Sequence, residues 1–268
     1  MIYVVQTGKL SGNQAANHSR RVYVAPQIRG TTDLFNQLLS SKENFLQSAI
    51  GQHFEYSPAK RRVAIGCGVA VISIDWLLLL HVSQHAASVR TEFALIAFAI
   101  FVYLTDGDLQ SLGIRLRPKQ GWKPWIWIST KLLCIVAICV VAGLGAWHLM
   151  GNELKAPNID PAYFTHYFLH ACVKAPILEE TIYRVVVCLP LVSMIGCWKT
   201  IGISGILFAS LHFVYGNPGP ANLVGGFLLA WAYLKSETIL LPLLLHSVGN
   251  FLALCCQLAA LYHLHSAG

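Results

Sequence analysis

The sequence predicts an all-α, polytopic membrane bundle of about seven transmembrane helices. Of its 268 residues, 55% are hydrophobic and only 12% charged, against about 25% charged in a soluble globule. Its mean hydropathy is +0.56. Apolar runs also recur along the chain near the length of about 20 residues that crosses a hydrocarbon core as a helix.

Taken in order, the first run lies near 63–83, VAIGCGVAVISIDWLLLLHVS, and a shorter one covers 91–105. A third, 124–150, carries Lys131 inside it, and a fourth, 162–196, is interrupted by Pro176 and Pro190. The last three fall near 200–215, 220–234 and 238–262. DGD at 106–108 and GNPGP at 216–220 are turn chemistry, where Gly permits positive φ and Pro removes a helical donor, and they mark span ends. Residues 1–62 are polar and lack the apolar core of a signal peptide, so the first run is expected to direct insertion. They are read as a cytoplasmic N-terminal segment, partly amphipathic around LFNQLLSSKENFLQSAI. The bundle is expected over 63–268.

The net charge of +7 and pI near 9.0 do not indicate a nucleic-acid binder. The basic residues sit beside apolar runs, with no aromatic-basic platform among them. With the N-terminus inside, the inner loops hold Lys60, Arg61, Arg62, Arg115, Arg117, Lys119, Lys123, Lys199 and Lys235, and the outer loops Arg90 and Lys155. That bias places the N-terminus in the cytoplasm. Of eight cysteines, Cys134, Cys139, Cys172, Cys188, Cys255 and Cys256 lie in expected spans, and no CxxC occurs. They read as small packing residues rather than disulfide or zinc ligands.

Polar groups inside such runs are costly and mark candidate sites. The positions to weigh are Asp75, Glu179, Glu180, Arg184, His212, His246 and Asn250. In LEETIYR (178–184), Pro176 suits the first turn of a helix that reaches about Leu189, ahead of Pro190. Glu180 and Arg184 stand four apart on one face and are expected to pair, while Glu179, rotated by roughly 100°, stays free for chemistry. FASLHF sets Phe208 and His212 four apart on the fifth run, and LLLHSVGNFL does the same for His246 and Asn250 on the last. The spacing lets His246 and Asn250 face one cavity. His166/His170 and His81/His85 share it, but near span ends, where a histidine reaches water. Asp75 is expected to pair with a base such as Lys131 or Lys174.

A buried carboxylate suits a general base acting on water, and His or Asn donors can stabilise an oxyanion, so these residues can hydrolyse an amide without a covalent intermediate. Glu179, His212 and His246 also form a two-histidine, one-carboxylate set that zinc accepts, although no HExxH occurs. Composition and spacing leave both mechanisms open. A serine nucleophile has little support, because Ser210 and Ser247 are only sequence neighbours of the histidines.

EETIYR, FASLH and HSVGN, in that order over about 160–260, resemble the EExxxR, FxxxH and HxxxN motifs of the CPBP (ABI) intramembrane protease family, also called the CAAX prenyl endopeptidase or Rce1-like family. The resemblance implies an integral-membrane endopeptidase in which Glu179 and His212 activate water and His246 and Asn250 form the oxyanion hole. Glu180, Arg184 and Phe208 would support the site. It implies no cofactor under the metal-free glutamate mechanism, with zinc the alternative. The expected partners are the bilayer and a membrane-associated peptide or protein, prenylated CAAX chains being what eukaryotic members cut. The contrasting reading is a non-proteolytic scaffold or bacteriocin-immunity-type protein that uses the same cavity. A transporter is disfavoured because no paired inverted halves occur.

Overall fold

The computed structural model describes residues 54, 57–80, 86–150, 160–214, 216 and 220–266. The amphipathic patch at 34–50, His81, His85, Lys155 and most of GNPGP lie outside them. The described residues form seven helical elements and no strand: α1 (Pro58–Leu80), α2 (Ala86–Leu104), α3 (Trp122–Leu149), a composite helix α4 (161–195), α5 (Cys197–Val214), α6 (Pro220–Ser236) and α7 (Leu240–Ser266). By length and composition three helices can cross a membrane, over Pro58–Leu80, Cys197–Val214 and Leu240–Tyr262.

α1 starts at Pro58, where the missing N–H costs nothing, so Lys60-Arg61-Arg62 belongs to its first turns rather than to a preceding segment. Its buried residues Ala64, Gly68, Val71, Asp75 and Leu79 form one stripe at helical spacing. Gly68 lets α1 approach α4 closely, since a Cβ there would meet the Val186 carbonyl at 3.3 Å. α2 buries Ala94, Ala97, Phe101 and Leu104 and ends at the expected turn, with Asp106 and Gly107 both at positive φ.

The stretch between α2 and α3 docks on the turn joining α6 to α7. Tyr233 donates its hydroxyl to the Leu112 carbonyl at 2.8 Å, and Arg115 and Lys119 pair with Glu237 at 3.4 and 2.7 Å. Lys60 pairs with Asp106 at 2.6 Å, and Cys197, two residues before Lys199, has Lys235 and Glu237 as charged neighbours. The basic residues expected on the inner side thus gather at one end of the bundle. Arg90 departs from expectation: it sits within α2 and is paired there, not in a loop.

α4 differs most from the sequence reading. It runs through both prolines, alternating short α segments with π-helical turns at Leu169–Lys174 and Thr181–Cys188. The wider turns accommodate the prolines without ending the helix. Gly196, at φ 76°, ends α4 and turns the chain into α5. α5 and α6 pack through small residues, because a Cβ on Gly205 would strike the Phe227 ring and one on Gly226 would lie 2.9 Å from the Cβ of Phe208. That approach fixes Phe208 in the core.

Candidate active site

The expected Glu180–Arg184 pair forms, with Arg184 Nε donating to Glu180 Oε2 at 2.8 Å and both side chains fully buried. The far edge of the guanidinium gives Nη1–H to Ser204 Oγ at 2.8 Å, and Ser204 in turn donates to the Tyr183 carbonyl at 3.1 Å. The guanidinium carbon stands 5.1 Å from the Phe208 ring centroid. The cation is therefore held by a carboxylate, a hydroxyl and an aromatic face, while its Nη2 is buried without a hydrogen bond among the described residues.

The other Glu180 oxygen, Oε1, accepts from His246 Nδ1 at 2.9 Å. A carboxylate only accepts here, so Nδ1 carries the hydrogen, and in the neutral ring Nε2 presents its lone pair. Nε2 faces Glu179 Oε2 at 3.8 Å. Glu179 Oε2 is buried and makes no hydrogen bond among the described residues. Its ionisable neighbours are His246, His212, Arg90 and Glu180. His212 bonds its Nδ1 to the Phe208 carbonyl at 2.9 Å, which also leaves Nε2 as an acceptor. Phe208 links the histidines, its ring centroid lying 4.6 Å from His212 and 5.8 Å from His246.

Asn250 reaches α4 as well. Its Nδ2 donates to the Ala171 carbonyl at 2.7 Å. In the π turn the Ala175 N–H bonds to the His170 carbonyl, five residues back, so the next donor in that pattern would be Pro176. Proline has no N–H, and Asn250 takes up the carbonyl of Ala171 in its place. The second N–H of the same nitrogen is not used by this bond.

Asp75 corrects an expectation. Its partner is Arg90, at 2.6 and 3.3 Å, and not Lys131 or Lys174. Lys131 is exposed on α3 with its Nζ 4.8 Å from the Trp127 ring, and Lys174 is exposed on α4. His166 and His170 are exposed with their rings 6.3 Å apart. The seven described cysteines are free thiols. Among the described residues no group of three or more His, Cys, Asp or Glu side chains is arranged to hold a metal ion.

Ser204 was not singled out from sequence, although Ser204, Phe208 and His212 follow one another at i, i+4, i+8 along one face of α5. Ser204→Ala is expected to destabilise the fold by about 1–3 kcal/mol, because it leaves the buried Nη1–H of Arg184 without its acceptor. A thermal melt in detergent checks this, and a midpoint unchanged from wild type would show that the hydroxyl does not hold the guanidinium.

A helical membrane protein with a buried, partly unpaired carboxylate flanked by two histidines has the parts of a water-activating hydrolase. Residues 160–252 match the family model described as Type II CAAX prenyl endopeptidase Rce1-like, a protease family, so the stretch from α4 into α7 is similar to that family. No curated protein and no solved structure matches the chain.

Proposed function

We propose that the chain is an intramembrane endopeptidase that hydrolyses a peptide bond of a membrane-associated substrate with water activated by Glu179. One observation carries this: Glu179 Oε2 is buried, unpaired among the described residues and 3.8 Å from His246 Nε2, inside the Rce1-like stretch. The basic end of the bundle faces the cytoplasm in this reading, which places the N-terminus there, and all seven helical elements belong to the membrane bundle.

In the reaction, the water oxygen attacks the peptide carbonyl carbon while Glu179 takes one of its protons. His212 Nε2, an acceptor, holds the other proton and so orients the attack. The carbonyl oxygen becomes an oxyanion. His246 donates to it from Nε2 when that nitrogen is protonated, and the resulting imidazolium lies against Glu180. The free N–H of Asn250 supplies a second donor. Collapse breaks the C–N bond, and Glu179 returns its proton to the leaving nitrogen, giving an amine and a carboxylic acid that then loses its remaining proton to solvent.

The test is turnover of a quenched fluorescent farnesylated CAAX peptide by the purified full chain, with and without a zinc chelator. Unchanged turnover in chelator is the expected result. Loss on chelation, restored by zinc, would instead make Glu179, His212 and His246 metal ligands.

A further inference from the structure

Outside the family-matched stretch, a charged pair contributed by α1 and α2 includes a charged neighbour of Glu179, Arg90. Arg90 gives Nε–H to Asp75 Oδ1 at 2.6 Å and Nη2–H to Oδ2 at 3.3 Å, so Asp75 occupies one edge of the guanidinium. Nη1, on the opposite edge, has no partner among the described residues and is not one of their buried unpaired atoms, so it reaches accessible surface. The Asp75 side chain is 2% exposed and that of Arg90 12%, so the carboxylate is the more deeply buried of the two.

Packing sets this pair beside α4. Trp76, next to Asp75, donates Nε1–H to the Tyr183 hydroxyl at 3.2 Å, and Tyr183 follows Glu179 by four residues along α4. Glu179 is a charged neighbour of Arg90, and Arg90, Lys174 and His166 all neighbour His170. His170 thus lies near two fixed cations, Arg90 and Lys174. A pair serving only to join α1 to α2 gains nothing from an open donor, whereas a guanidinium fixed along one edge and open on the other suits an incoming carboxylate.

We propose that Arg90, oriented by Asp75, is an anion-binding position of the substrate site and receives a carboxylate of the peptide that Glu179-activated water cleaves. This rests on the endopeptidase reading above. The carboxylate belongs to the peptide's C-terminus or to an acidic side chain, and the test separates the two.

One farnesylated fluorogenic peptide is offered to the full-length protein in three forms: a C-terminal acid, a C-terminal amide, and an amide with Glu as its last residue. Wild type is expected to prefer a carboxylate-bearing form over the plain amide by at least about tenfold in kcat/KM. Preference for the acid alone assigns the C-terminus, and recovery with the Glu-bearing amide assigns a side chain. The double variant Asp75→Asn/Arg90→Gln, which leaves no buried charge alone, should reduce the preference to about twofold or less. Equal cleavage of all three forms by wild type, a comparison that needs no variant, overturns the proposal, as does a preference that survives in the double variant. Failure of wild type to cleave any form would instead defeat the endopeptidase reading, and this proposal with it.

Discussion

Glu179→Gln is expected to lower kcat by a factor of about 10² to 10⁴, the contribution of a positioned general base. The substitution keeps the size of the side chain and removes only its capacity to take a proton. Glu179 Oε2 makes no hydrogen bond among the described residues, so an amide there breaks no such bond to that oxygen. The melting midpoint in detergent should therefore stay near that of wild type while turnover falls. Undiminished turnover would remove Glu179 from the base role and leave its burial beside His246 without a catalytic explanation.

Arg184→Met is expected to destabilise the fold by about 3–5 kcal/mol, the cost of leaving one member of a buried ion pair alone. Glu180 would keep only His246 as a partner, Ser204 would lose its donor, and Phe208 would lose the cation beside its ring. The double variant Glu180→Gln/Arg184→Met should recover most of that loss, because no carboxylate then stays buried without its counter-charge. It should remain poorly active, since His246 Nδ1 would no longer meet a carboxylate. Unfolding followed in detergent, beside activity, separates these effects. A single variant as stable as wild type would show that Arg184 is not what holds α4 to α5.

Much of this arrangement was legible in the chain because the bilayer restricts what a helix can carry. Apolar runs located all seven helical elements, and four-residue spacing anticipated both the Glu180–Arg184 bond and the shared face of Phe208 and His212. The prolines misled, because Pro176 and Pro190 read as helix boundaries when α4 in fact widens into π turns and continues. The Asn250 bond to Ala171 could have been inferred only by counting five residues back from Pro176, a step that presupposes the π turn. Arg90 reads as a loop charge because it precedes the apolar run of α2, and its pairing with Asp75 depends on how α1 and α2 pack, which neither helix's sequence alone encodes. Ser204 gave no signal by residue type, since a serine in an apolar helix commonly satisfies its own backbone.

The most direct measurement is mass spectrometry of a farnesylated CAAX peptide after incubation with the purified wild-type chain in lipid nanodiscs. The account predicts two fragments from a single internal bond, one ending in a new carboxylate and the other beginning with a new amine. A peptide recovered intact, or shortened one residue at a time, would contradict it.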